Sequence, residues 1–363
     1  MNLLHVCAIT NNKTSGISNV VPEHFINQQN LANVAILNCN NEYITRLENQ
    51  KNVYYYKDYN NISILPKPFN KPDIVIFHGI YIFKYIGLYK YCKKNNIPYV
   101  IIPHGSLTED AQKIKPLKKL FGNIFFFNKF IMNCESIQYL SENEEKMSSN
   151  YKHNSFVLGN GMIEPNFEKE SFSKKGLKLV YVGRYAIYHK GLDILIKGCL
   201  LSKDIMKKNN IKICLYGSGN DGIDKVKNLV LKNGVNDIIS VNGPIFDDNK
   251  TKTILENDFF VQLSRLEGQP LGIMEAMFLG MPIICSEGTT FGDIVRKSEC
   301  GYVCSTPEEF AKLIVNISVN EKVLKEMSKS SKYNAKKMFS WEIVAHDTIK
   351  KYKEIIRNDR KEN

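Results

Sequence analysis

No stretch of this 363-residue chain holds the roughly 20 consecutive apolar residues that a membrane-spanning helix needs. The N-terminal run Leu3–Ile9 reads as a short buried strand. It lacks a basic leader and a small-residue cleavage site, so a signal peptide is not expected. The nine cysteines are scattered, odd in number and never spaced Cys-x-x-Cys. That pattern argues against a zinc site and fits buried free thiols in a reducing cytoplasm. No internal repeat, low-complexity linker or long block of one charge is present. Acid is in short supply: 37 Asp and Glu stand against 49 Lys and Arg, a net charge of +12. Such a surface attracts anions, whether nucleotides, nucleic acid or an anionic leaflet. No nucleic-acid-binding motif accompanies the charge, so nucleic acid is not expected as a partner.

What is present is a repeated strand–helix alternation. In the first half, Leu3–Ile9, Val34–Leu37, Asp73–Phe77, Tyr99–Ile102, Ser136–Leu140 and Ser155–Leu158 read as strands. Helices are expected over Ser18–Asn30 and Tyr81–Asn95. Continuous apolar strands of this kind belong to a parallel sheet covered on both faces. The polar stretch Glu164–Ser171 breaks the pattern. The theme then restarts with strands at Leu177–Val182, Ile211–Tyr216, Ile238–Val241, Phe259–Leu263, Pro282–Cys285 and Gly301–Val303. The expected division is 1–165, 166–340, and a C-terminal helix over 341–363 returning to the first domain. Two successive doubly wound sheets imply ligand groups at the carboxyl ends of strands, in a cleft.

The stretch Glu267-Gly268-Gln269-Pro270-Leu271-Gly272-Ile273-Met274-Glu275 is the richest in chemistry. One acid stands in a Gly/Pro turn and a second in the first turns of a helix. Two carboxylates and helix N-terminal N–H groups would then face one polar ligand. After strand Leu177–Val182 come Gly183-Arg184 and Lys190-Gly191. A planar Arg fork and a mobile Lys charge there can clamp a diphosphate; two solvated loop cations are the plainer alternative. Tyr216-Gly217-Ser218-Gly219-Asn220-Asp221-Gly222 fits G-x-G-x-x-G after a strand. The acid that should end the next strand is misplaced, since Asp237 precedes that strand. A tight strand-to-helix turn is therefore the better reading. His78 before Gly79 and His104 before Gly105 both follow buried strands. His104 is the stronger candidate, because Pro103-His104-Gly105-Ser106 opens a helical segment. Thr14-Ser15-Gly16-Ile17-Ser18 is a further glycine turn opening a helix.

In this order these elements resemble retaining glycosyltransferases of the GT-B fold, in the large family 4 (glycosyl transferases group 1). They run from Thr14–Ser18 through Pro103–Leu107, Asn160-Gly161, Gly183-Arg184…Lys190-Gly191 and Gly217–Gly219 to Glu267…Glu275. The flavour is that of bacterial enzymes building capsular or exopolysaccharide units. The resemblance implies an α/β architecture of two Rossmann-like doubly wound domains facing an inter-domain cleft. It implies a nucleotide-sugar donor, UDP-linked by expectation, and a glycan or polyprenyl-linked acceptor. The activity would be hexosyl or N-acetylhexosaminyl transfer. Arg184 and Lys190 would neutralise the departing diphosphate. No metal or other cofactor is then required, and no Asp-x-Asp motif is apparent. Glu275 would accept from ribose hydroxyls. Glu267, with the N–H groups of Gly268, Gln269 and Leu271 around Pro270, would hold the sugar and its phosphate. His104 would contact the sugar and the reacting centre. Gly16 and Gly183 would admit the phosphate, Gly217 would close the donor turn, and the loop at Gly243 would line the base. A same-face mechanism, in which the leaving phosphate takes the acceptor proton, is what the family implies. Tyr185–His189 and Gln269 depart from common family residues and would tune donor choice.

Two other readings remain. A non-catalytic GT-B-like assembly subunit would show an eroded site. A nucleotide-sugar-modifying NAD enzyme would use the Gly217–Gly222 turn. The segment Lys113-Ile114-Lys115-Pro116-Leu117-Lys118-Lys119-Leu120-Phe121, followed by Ile124–Phe127, mixes basic and apolar residues. It suits peripheral docking of a cytoplasmic protein on the anionic inner face of the cell membrane. A half-buried helix with a solvated lysine face is the alternative, and Pro116 argues against one uninterrupted helix.

Overall fold

The computed structural model describes the chain apart from residues 13–14, 114–115, 149–150, 152, 220, 318–319 and 363. It divides into two units: Met1–Gly161 with Trp341–Asn363, and Met162–Ser340. The change of unit falls after Gly161, four residues before the expected boundary. Met162 donates its N–H to Phe339 O at 2.7 Å and Lys169 to Leu279 O at 2.8 Å. Those backbone bonds tie the start of the linker into the second unit.

Among the described residues the first unit contains seven strands: β1 (Asn2–Cys7), β2 (Asn33–Asn38), β3 (Val53–Tyr55), β4 (Ile74–His78), β5 (Tyr99–Ile102), β6 (Ser136–Tyr139) and β7 (Ser155–Val157). They form one sheet in the order β3-β2-β1-β4-β5-β6-β7, every pair parallel. Side chains alternate across it. Leu4, Val6, Val75 and Phe77 enter one core, while Leu3, Cys7, Ile74 and Ile76 enter the other. The second core is closed by Val21 and Phe25 of helix Gly16–Gln28 and by Ile349, Tyr352 and Ile356 of helix Trp341–Glu362. Burial on both faces is why the strands read as unbroken apolar runs. β3 has no signal in the sequence, being three half-buried residues at the sheet edge.

The second unit repeats the plan with β8 (Leu177–Val182), β9 (Ile211–Tyr216), β10 (Ile239–Asn242), β11 (Phe259–Gln262), β12 (Ile283–Cys285) and β13 (Gly301–Val303). The order is β10-β9-β8-β11-β12-β13, again parallel. The order reverses between β8 and β11, and the crevice beyond the carboxyl ends at such a switch point is where open α/β sheets bind ligands. In the first unit the corresponding point lies between β1 and β4. All nine thiols are unpaired, and all but Cys214 are buried.

Candidate donor site

The carboxyl ends of β8 to β11 surround a cavity of about 840 Å3 in the second unit. Gly183, Arg184, Lys190, Glu267, Gln269, Pro270, Leu271 and Glu275 line it, as do Ser218, Pro244–Asp248, Lys250 and Gln262. Gly217, Gly243 and Gly268 do not reach its wall; their neighbours Ser218, Pro244 and Gln269 do. The space around residues 164–171, about 880 Å3, brings together no comparable set of cations and carboxylates.

Gly217 acts through backbone approach. A Cβ there would lie 2.0 Å from Gly183 O, so only glycine lets the ends of β8 and β9 come this close. The turn also anchors the loop that follows β8. Tyr185 N–H donates to Ser218 O at 2.8 Å, and Ile187 N–H to Asp221 Oδ2 at 2.7 Å. Asp221 thus serves a loop amide. Asp237 is partly exposed and pairs with Lys203 and Lys207, ahead of β10. Neither acid stands where a dinucleotide fold holds ribose, in line with a tight strand-to-helix turn.

Lys190 reaches across the cavity to Glu267, Nζ to Oε1 at 2.5 Å. The same oxygen accepts from Gln262 Nε2 at 2.8 Å and from Ser264 Oγ at 2.6 Å. Glu267 is therefore fixed by β11 and its loop, with its backbone N–H bonded to Gly288 O at 2.9 Å. Glu275 is the fifth residue of helix Leu271–Phe278 and forms an ion pair with Lys250 of helix Asp247–Leu255. Asp247 and Asp248 open that helix. The helix from Leu271 starts without a side-chain cap, and its first turn borders the cavity. Three cations and four carboxylates line the space, so net charge alone does not make it an anion site. Placement favours one: Arg184 has no carboxylate partner among the described residues, and it lines the same cavity as that helix N-terminus.

Sequence reasoning missed Arg265. Its guanidinium bonds both Asp193 oxygens, at 2.7 and 2.8 Å, and donates to Tyr188 O at 2.6 Å. It also stacks over the Tyr188 ring at 4.2 Å. Burial would raise the Asp193 carboxyl; the Arg265 hydrogen bonds and charge outweigh it and hold it below its usual range. Arg265 N–H donates to His189 O at 2.9 Å. Gly191, at φ +63°, closes the same loop where a Cβ would lie 1.8 Å from Leu263 O. These contacts aim Lys190. Lys250 was missed as well, because nothing in its local sequence pairs it with Glu275.

In the first unit, His104 follows β5 in a turn, five residues ahead of helix Glu109–Lys113, and does not open that helix. Its φ of +49° is left-handed, and Gly105 follows at +79°. That conformation is uncommon for a side-chain-bearing residue, though histidine adopts it more readily than most. Gly105 N–H donates to the buried Glu144 carboxylate, whose other oxygen accepts Leu140 N–H at 2.7 Å. Desolvation raises the Glu144 pKa against those two amide bonds. His78 Nδ1 lies 3.1 Å from His104 Nε2. Desolvation, then the His24 charge, pushes His104 down to about 3. Gly16 begins the first helix after Ser15, whose side chain accepts from Ser18 N–H. Thr14 lies outside the described residues, as do Ile114, Lys115 and Asn220.

Residues 162–338 match the family Glycosyl transferases group 1. An uncharacterized glycosyltransferase of Methanocaldococcus jannaschii is 26% identical over 191 residues, 52% of this chain and 46% of that protein. The chain thus spans under half of that relative's length. Protein CapJ of Staphylococcus aureus is 24% identical over 286 residues, 74% of this chain and 69% of CapJ. HepE of Anabaena, solved in complex with UDP, superposes with a TM-score of 0.70 at 13% identity, covering 98% of this chain and 100% of HepE. Likeness at that identity speaks for the fold, two Rossmann-like parallel-sheet domains of the GT-B class.

Proposed function

Residues 162–338 of this chain belong to the glycosyl transferases group 1, and from that premise we propose a retaining transferase. It moves a hexosyl or N-acetylhexosaminyl group from a UDP-sugar to a glycan or lipid-linked acceptor of bacterial surface polysaccharide. The observation that carries the reading is the cavity at the β8/β11 switch point, where Arg184, the Lys190–Glu267 pair and the helix N-terminus at Leu271 converge. HepE, of the same fold, was solved with UDP.

Arg184 and the helix N-terminus receive the diphosphate, and the ammonium of Lys190 swings one of its donors to it. The charge that grows on the departing phosphate is met by cations already in place. No metal is called for in this scheme. Glu267, held by Lys190, Gln262 and Ser264, accepts from a sugar hydroxyl, and Glu275 accepts from the ribose. His104 hydrogen-bonds the transferred sugar. The leaving phosphate takes the acceptor proton on the face it departs from.

The experiment is a thermal-shift panel of nucleotide-sugars on the native protein and on Arg184→Ala and Glu267→Ala. A donor held at 100 times its Kd stabilises by about 2.7 kcal/mol, a readable rise in Tm. Arg184→Ala should lose that rise while melting normally without ligand, and both variants should lose transfer. If every nucleotide-sugar leaves the native melting point unchanged, the reading fails and the non-catalytic subunit takes its place. Stabilisation by NAD instead would favour the nucleotide-sugar-modifying enzyme.

A further inference from the structure

A line of hydrogen-bonded side chains runs from the core of the first unit to His104. Gln28 Oε1 lies 2.9 Å from His5 Nε2, His5 Nδ1 lies 2.9 Å from His78 Nε2, and His78 Nδ1 lies 3.1 Å from His104 Nε2. Gln28 and His5 are fully buried, and His78 nearly so. Each nitrogen–nitrogen gap is a hydrogen-bond length, so one proton occupies each. Desolvation takes His5 and His104 down to about 3 and His78 well below its usual value. At neutral pH every ring is therefore uncharged and carries one N–H.

The first acceptor fixes all the rest. Gln28 Oε1 can only accept, so His5 donates from Nε2 and leaves Nδ1 bare. That Nδ1 accepts from His78 Nε2–H. His78 Nδ1 is then bare and accepts from His104 Nε2–H. His104 is left with Nδ1 as an acceptor, which has no partner among the described residues. Turning the Gln28 amide over would reverse each proton and make His104 Nδ1 a donor. In the structure the carbonyl oxygen faces His5, and the buried Gln28 Nε2 has no partner. The left-handed backbone at His104 and the Gly105–Glu144 bond hold the ring where the line ends.

We propose that Gln28, His5 and His78 are positioning residues that fix His104 as its Nε2–H tautomer, so that it offers Nδ1 as an acceptor to a hydroxyl of the transferred sugar. The purpose assigned to the line rests on the sugar contact given to His104 above; the tautomer itself does not.

The test is a long-range proton–nitrogen NMR spectrum of full-length protein labelled with 15N-histidine, with His104→Gln used to assign the signal. At pH 7.5, His5, His78 and His104 should each be neutral and protonated at Nε2. A His104 protonated at Nδ1, mixed, or charged overturns the proposal without any variant. His78→Leu removes the acceptor and should give His104 mixed tautomers, with kcat about tenfold lower and the donor KM within about twofold. His78→Asn keeps an oxygen where Nδ1 stood and should restore both the single tautomer and most of kcat. His78→Leu with an unchanged tautomer and unchanged kcat overturns the proposal. Should His78→Leu fail to fold, Gln28→Leu poses the same question from the far end of the line. A shifted tautomer with kcat intact would uphold the line and overturn the sugar contact instead.

Discussion

Lys190 meets Glu267 because a distant side chain holds its loop. Arg265 reaches Asp193, 72 positions back in the chain, and closes on the Tyr188 ring and carbonyl as well. The pair is about a quarter exposed, so solvent screening limits its worth to about 1 kcal/mol of stability. Its kinetic worth is larger, since a misplacement of about 1 Å at a reacting centre costs on the order of 100-fold in rate. Arg265→Leu should therefore lower kcat/KM by ten- to 100-fold while shifting Tm by only a few degrees. Steady-state transfer kinetics beside a thermal melt separate the two effects. A rate within twofold of the parent would mean that Gly191 packed on Leu263 holds the loop without Arg265.

At the scale of elements, much of the site was legible. Glu267 and Glu275 do stand in a loop and in the helix after it, and Leu177–Val182, Ile211–Tyr216 and Gly301–Val303 are strands over those residues. Such features follow from local periodicity and Gly/Pro punctuation. What the sequence hid is pairing between distant elements: Arg265 with Asp193, Lys250 with Glu275, His5 with His78. Spacing along the chain carries no trace of these. Gly217 was assigned to the donor, whereas its lack of a Cβ serves the approach of two strand ends. The basic and apolar segment was read only in outline. Helices span Glu109–Lys113 and Pro116–Gly122, and a π-helix and a short α-helix carry the chain on to Met132. Phe121, Ile124 and Phe125 are more than half exposed. Among the described residues no helix is long and apolar enough to cross a membrane. Burying a Phe is worth about 1.5–3 kcal/mol. Phe121→Ser with Phe125→Ser should thus weaken sedimentation with phosphatidylglycerol vesicles at least tenfold, with the melting point within about 2 °C. Equal sedimentation of parent and variant would leave a half-buried helix with a solvated lysine face as the reading of this segment.

Over the whole molecule, the buried imidazoles give the two units different responses to acid. His5 and His104 fall to about 3 and His24 to about 4, chiefly by desolvation, and His78 falls well below its usual value. Their folded pKa values lie under the unfolded value near 6.5, so below pH 6.5 the unfolded chain binds protons that the native first unit refuses. Stability must then rise with pH up to about 6.5 and fall as pH drops beneath it, by about 1.4 kcal/mol per histidine between pH 7.5 and 5.5. Glu144, raised by burial, opposes this by a single group. Among the described residues the second unit holds no group whose resolved shift acts mainly in that window; Lys169, lowered to about 8 by desolvation, titrates chiefly above it. The only tryptophan, Trp341, belongs to the first unit and lies edge-on to His24, with centroids 4.9 Å apart. Its fluorescence reports on the affected core. With four histidines and a slope of about 3 kcal/mol per molar urea, the upper end that a chain of this size calls for, the tryptophan-detected midpoint should fall by roughly 2 M between pH 7.5 and 5.5. A midpoint that does not move would mean that these histidines take up protons in the folded state, and the line from Gln28 to His104 would then have to be redrawn with charged rings.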